Sequence, residues 1–345
     1  MAAASPPADA TEPRCYVCLD PAKPDDALCA TGCACRGDSA GLLHFTCAVG
    51  AAQANSRSWY ECLTCKQDFT GVLVLQLSRE RCRICADRAE EDGERMAAGM
   101  ELTRELMVSG ELEEALQLGT ETLPIVRRVC GNEHELTLGA MGGLAAVHSA
   151  MGDEAAALAL ETEALAVCRR VLGNDHERTL STVANLAATH HNMGGFTAAL
   201  PLMQEALDGM RRTRGSDHID TIRTMGNVAD VHVNMRNHNL ALPLRMEAVE
   251  VCRRVFGIQH PQTQESAGDL GVLLVIMGDE AAGVPLLREA VQGLTAVYSA
   301  EHRLVHTFQE ILDNLTDGSE SESDEEEEQE EETMYQRMAK RRRRE

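Results

Sequence analysis

Aromatic residues are scarce, at 3% of 345 positions, and that scarcity disfavours a sheet-rich fold. Abundant Ala, Leu, Glu and Met point instead to helices. No run of about 18 apolar residues occurs, so no membrane-spanning helix is predicted. Nor does an apolar signal segment follow Met1. Positive charge is also short: 32 Lys and Arg stand against 55 Asp and Glu, a formal net charge of −23. Residues 1–316 alone hold 43 acids against 26 bases, so the acidity is not confined to the tail, and a broad nucleic-acid footprint is not expected. A nucleophile elbow, a phosphate-binding loop and a paired-carboxylate motif are all missing, which leaves no catalytic residue to nominate.

Cysteine, by contrast, is plentiful. Of 13 cysteines, seven join one histidine near the N-terminus in the order Cys15, Cys18, Cys33, Cys35, His44, Cys47, Cys62, Cys65. They fall into four short pairs, CYVC, CAC, HFTC and CLTC. Two ligands one or two residues apart can grip one Zn²⁺ at about 2.0 to 2.3 Å, so four pairs imply two closed four-coordinate sites. That spacing favours two Zn²⁺ ions in a reducing compartment over a secreted disulfide framework, and hence a cytoplasmic protein. The segment from Cys15 to Cys65 includes too little apolar surface to fold unaided, and structural zinc contributes folding free energy on the order of 10 kcal/mol per site.

The ligand order, together with CACRGDSAGLLHFTC and CLTCKQDF, resembles the RING-CH zinc finger over about residues 14–71. That resemblance implies an interleaved α+β cross-brace, with Cys15, Cys18, His44 and Cys47 on one zinc and Cys33, Cys35, Cys62 and Cys65 on the other. It also implies a ubiquitin ligase. Val17 and Leu63 would contact the ubiquitin-conjugating enzyme, and Lys66 would hydrogen-bond both ubiquitin and that enzyme, Leu63 standing where proline is common. Two further departures are present: eight residues separate Cys35 from His44 where seven are usual, and Ala51 replaces the usual tryptophan, the only tryptophan being Trp59. A PHD-type reader shares the ligand order and would need an aromatic cage, for which Trp59 and Tyr60 are the candidates. A zinc finger that serves only as a scaffold is the other alternative.

From Gly131 the sequence returns to itself every 42 residues: Gly131, Gly173, Gly215 and Gly257 head GNEHELTL, GNDHERTL, GSDHIDTI and GIQHPQTQ. The columns Arg127, Arg169, Arg211, Arg253 and Leu116, Leu158, Leu200, Leu242 keep the same step. A period of this size predicts a stacked solenoid. Apolar spacing of three and four, broken by MGG and resumed at Phe196, makes each period a helix, a turn and a longer helix. The glycines should end helices, and the following Asp or Glu with Thr should start them. Pro201, Pro243 and Pro285 sit early in the second helices and predict tolerated bends. His134, His176, His218 and His260 recur one helix pair apart, cannot converge on one ion, and are expected at helix starts.

The segment NDHERTLSTVANLAATHHNMGGFTAALPLMQEAL resembles the kinesin-light-chain type of tetratricopeptide repeat, a likeness spanning about residues 96–316. It implies an all-α solenoid of about five helix pairs and a closing helix, binding a protein or peptide substrate on its concave face. By that likeness Asn185 and Asn227 would bond ligand backbone, Gly143 and Asp269 replacing them in the same column. Residues 72–95 are expected to be a helical linker, and one more CxxC, Cys82 and Cys85, lies there. Residues 1–13 and the acidic, then basic tail 317–345 are expected to be disordered. Ser319, Ser321 and Ser323 match an acid-directed kinase, and Lys340 to Arg344 resemble a nuclear-import signal.

Overall fold

The structure is a computed structural model that describes Cys15, Val17, Cys18, 21–26, 28–30, 42–55, Trp59, Glu61, Phe69, 72–297 and 303–317. It divides into two compact units, Met1–Val147 and His148–Glu345.

The first unit opens with two short antiparallel strands, β1 (Leu28–Ala30) and β2 (Leu42–His44), in register Leu28 to His44. Helix α1 (Phe45–Ala54) follows directly. His44 makes no side-chain cap for it; the carboxylate of Asp26 does so from 19 residues away, accepting from the Phe45 amide at 3.0 Å and from the Thr46 hydroxyl. Helix α1 forms with Ala51 in place of an aromatic. Trp59, 7% exposed, packs with Leu43, Ala48 and Ala52 in the core beneath it.

Helix α2 (Val72–Cys85) leads into α3 (Gly93–Ser109) and α4 (Leu112–Cys130), the first antiparallel pair, and α5 (Glu135–Ala150) runs across the unit boundary. In the second unit come α6 (Glu154–Val171), α7 (Glu177–Asn192), α8 (Phe196–Arg214), α9 (Ile219–Asn234) and α10 (His238–Phe256). They are followed by α11 (Pro261–Ile276), α12 (Glu280–Val297) and α13 (Arg303–Asp317). Pro201, Pro243 and Pro285 lie inside α8, α10 and α12 without ending them. Where α11 and α12 touch, glycine is required: a Cβ on Gly283 would stand 2.7 Å from the Gly271 carbonyl oxygen.

The repeat columns have identifiable physical roles. The helix-start residue is the histidine itself, not the acid after it: Nδ1 of His176, His218 and His260 accepts the amide two residues on at 3.1 to 3.2 Å, as does His134. In two of the four turns the threonine three residues later donates back to the turn glycine carbonyl, Thr137 to Gly131 at 2.6 Å and Thr263 to Gly257 at 2.8 Å. Both ends of those two turns are thereby satisfied, while the buried hydroxyls of Thr179 and Thr221 make no such bond. The arginine column ties successive long helices together, Arg169 to Glu205 and Arg211 to Glu247 at 2.7 Å and Arg253 to Glu289 at 3.4 Å. Among the described residues no helix is long and apolar enough to cross a membrane.

Candidate metal centre and partner cleft

Cys15, Cys18, His44 and Cys47 converge, with one ligand atom of each within 4.8 Å of all the others. The turn after Cys15 supplies the first two, the end of β2 supplies His44, and the first turn of α1 supplies Cys47. His44 is fully buried, and its Nε2 bonds the Pro21 carbonyl at 2.9 Å. That bond puts the ring proton on Nε2 and leaves the Nδ1 lone pair facing the sulfurs, the orientation a metal-ligating imidazole needs. Sγ of Cys18 and of Cys47 stand 3.3 and 3.9 Å from Nδ1. Tetrahedral zinc with ordinary bond lengths sets sulfur and nitrogen about 3.6 Å apart, so the donor set fits the ion in both type and span.

Amide hydrogens reinforce it, Val17 and His44 donating to Cys15 Sγ at 3.4 and 3.5 Å. Burial pushes the Cys15 thiol up, but the surrounding amide bonds and the Cys18 side chain outweigh it, bringing the thiol down from 9.0 to about 7. Burial and the neighbouring Cys18 and Cys15 push Cys47 up to about 12. Crowding three sulfurs this way is unfavourable unless a cation lies among them.

Cys33, Cys35, Cys62, Cys65, Leu63, Lys66 and Tyr60 lie outside the described residues. Val17 is 48% exposed, between the first two ligands. Trp59 is buried against Leu43, which removes it from any methyl-lysine cage. Cys82 and Cys85 are one turn apart in α2; burial pushes the Cys82 thiol up to about 11, and it packs with Leu102 and Leu106 as a small apolar residue.

A cleft of ≈ 650 Å³ opens between α3, α4 and α5 in the first unit. Met100, Met107 and Leu136 line it with Gly119, Ala140 and Gly143, and Glu101 and Arg104 carry its charge. Gly143 occupies the column of Asn185, which is exposed on α7, and of Asn227, half-buried on α9. A Cβ at Gly143 would meet nothing within 4 Å, so this cleft exists because the column is empty here. The fourth member, Asp269, is bound instead: Arg245 donates to it at 2.8 Å and also to Asp230, Arg245 and Asp269 being buried and Asp230 partly so.

Stacked antiparallel helix pairs with a side-chain-lined cleft define a helical repeat protein. The tetratricopeptide repeat profile matches residues 106–170, 175–242 and 220–296, more than half of the chain, and the chain belongs to that family. A Podosopora anserina kinesin light chain with nearly identical TPR-like repeats is 19% identical, with 61% of this chain and 99% of that one covered at a TM-score of 0.52. BtubC (BKLC) from P. vanneervenii is 16% identical over 64% and 90%, at 0.55. Apo RapI is 13% identical over 87% and 96%, at 0.57. These likenesses show the fold alone. No curated protein matches the sequence. The repeats make the chain a protein-interaction scaffold.

Proposed function

We propose that the chain is a RING-CH ubiquitin ligase whose finger recruits a charged ubiquitin-conjugating enzyme and whose repeats hold the protein to be modified. One zinc binds Cys15, Cys18, His44 and Cys47, and a second binds Cys33, Cys35, Cys62 and Cys65; both ions serve structure. No residue of the chain forms a covalent bond to ubiquitin. The substrate lysine amine attacks the thioester carbonyl, an isopeptide bond forms and the conjugating enzyme's thiol leaves, the ligase contributing orientation.

The observation that carries the reading is Val17, a half-exposed apolar side chain on a turn fixed by the Cys15 sulfur through its own amide. By the RING-CH resemblance, Leu63 and Lys66 contact the conjugating enzyme as well. On the repeats, Asn185 and Asn227 bond extended substrate backbone, and the cleft at Gly143 takes an apolar substrate side chain.

Autoubiquitination with a panel of conjugating enzymes tests the reading, and V17A should abolish chains while zinc content stays at two ions. If no enzyme gives chains although two zincs are bound and the fold is intact, the ligase reading fails and the scaffold reading stands.

A further inference from the structure

Helix α2 belongs to two cores at once. On one side Leu73 and Leu77, 1% and 0% exposed, pack with Leu43, Trp59 and the metal-group residue Cys15. On the other, Leu75 and Cys82 pack with Leu102 and Leu106 of α3 and Ala115 of α4. Ion pairs fix the same helix to the repeat. Arg79 spans Glu111 and Glu114 at 2.7 Å each, and Arg81, 6% exposed, reaches Glu94 at 2.9 Å and Glu101 at 2.8 Å.

A helix of 14 residues is marginal in isolation, so α2 depends on the cores it completes. Glu101 is shared in turn: it binds Arg81 and lines the partner cleft beside Arg104. A continuous set of packed groups thus runs from Cys15 through Leu77 and Arg81 to Glu101, with no loose linker in it.

From this arrangement we infer that metal binding at the finger and the folding of the first repeat are one cooperative unit, so that the metal-loaded finger holds the partner cleft in shape. The inference rests on the metal reading of Cys15, Cys18, His44 and Cys47. In small zinc folds the binding free energy is folding free energy. Chelation removes the support under Leu73 and Leu77, α2 keeps only its repeat-facing side, and the ion pairs that place Glu101 lose their anchor. By thermodynamic reciprocity, loosening the repeat side weakens the grip on the metal.

Hydrogen exchange on the full chain tests this, zinc-loaded and after chelation, with metal content measured on the same samples. Amides of α2 and α3 should lose about tenfold or more of their protection while those of α9 to α11 stay unchanged. If zinc leaves and α1 opens but α3 is unaffected, the coupling is overturned and the metal site stands. If the chain takes up neither zinc nor cobalt, both fall, and the metal analysis distinguishes the two failures. The reciprocal arm uses L75A, which touches the repeat and not the metal group. It should release zinc to a chromogenic chelator several-fold faster, and an unchanged rate overturns the inference. Should L75A fail to fold by circular dichroism, L75V asks the same question with a smaller cavity.

Discussion

Replacing Glu161 by Gln should change how the α6–α7 pair responds to pH. Glu161 is 5% exposed and its Oε2 has no hydrogen-bond partner. Burial pushes its carboxyl up from 4.5 to about 7, against the pull of the Thr189 hydroxyl and with a further push from Glu154. The folded value is above the unfolded one. Below pH ~4.5 both states hold the proton and the neutral carboxyl's contribution is complete. Between about 4.5 and 7 the unfolded chain releases its proton while the folded one keeps it, so stability falls as pH rises and levels off above 7. Each pH step costs about 1.4 kcal/mol, roughly 3 kcal/mol in total. Gln retains an acceptor for Thr189 and does not titrate. E161Q should therefore exceed the parent by under about 1 kcal/mol at pH 5 and by roughly 3 kcal/mol at pH 8. Repeat arrays open locally, so the assay is hydrogen exchange of α6 and α7 amides, corrected for intrinsic rates, from pH 5 to 8. Taking parent minus variant cancels other titrations, among them His232, which burial pushes down and whose contribution is lost as pH falls. Equal pH slopes in parent and variant, or an E161Q that is weaker at pH 8, would refute a buried neutral carboxyl.

Three other substitutions probe different parts of the molecule. G143F projects into open space and removes a helix glycine, so the thermal midpoint should hold or rise. Peptides selected from a displayed library on the parent chain should bind G143F about tenfold or more weakly, and undiminished affinity would place the ligand elsewhere. R245M removes the guanidinium that donates to the buried Asp269 and the partly buried Asp230 and should cost about 3 to 5 kcal/mol in urea unfolding; a cost under about 1 kcal/mol would mean water reaches the triad. Arg236 sits at φ 58 in the turn column otherwise held by Gly110, Gly152, Gly194 and Gly278. R236G should relieve the left-handed backbone by roughly 1 kcal/mol and raise the midpoint by a few degrees, unless lost arginine contacts offset it, which R236A would reveal as a further loss.

The repeat is legible because each 42-residue period restates the same local rules: helical apolar spacing, then a glycine at positive φ, from Gly131 at 85° to Gly257 at 85°. The histidine caps escape a propensity reading because Ser, Thr, Asp and Asn dominate that position. Their signal was present nonetheless, a histidine just ahead of α5, α7, α9 and α11. Asp26 as the cap of α1 could not be read locally, since it acts from across a strand pair. Nor could the double duty of α2. Its VLVLQL run suits a strand as well as a helix, and only the partners on either side show why apolar residues occur all round it. At the metal group the ligand order was informative because short pairs are a chemical requirement. The Nε2 bond of His44 to Pro21, which selects the ligating nitrogen, depends on a carbonyl that any residue could have supplied.

The columns also explain how one backbone plan yields different surfaces. In the first interval the positions Arg104, Gly119 and Gly143 line an open cleft. Three periods later the same columns carry Asp230, Arg245 and Asp269, and the space is filled by a largely buried ion triad. Helix pairing itself depends on other columns, such as Ala115, Ala157, Ala199 and Ala241, each fully buried. Selection can therefore change the groove positions with little effect on stacking. Burying a charged triad gives little net stability over an apolar replacement, so stability alone does not explain it. One interval is thus closed by charge while the first is lined by methionine and glycine, and the α3 of that first interval also carries Glu101, the residue that Arg81 ties to the finger's helix.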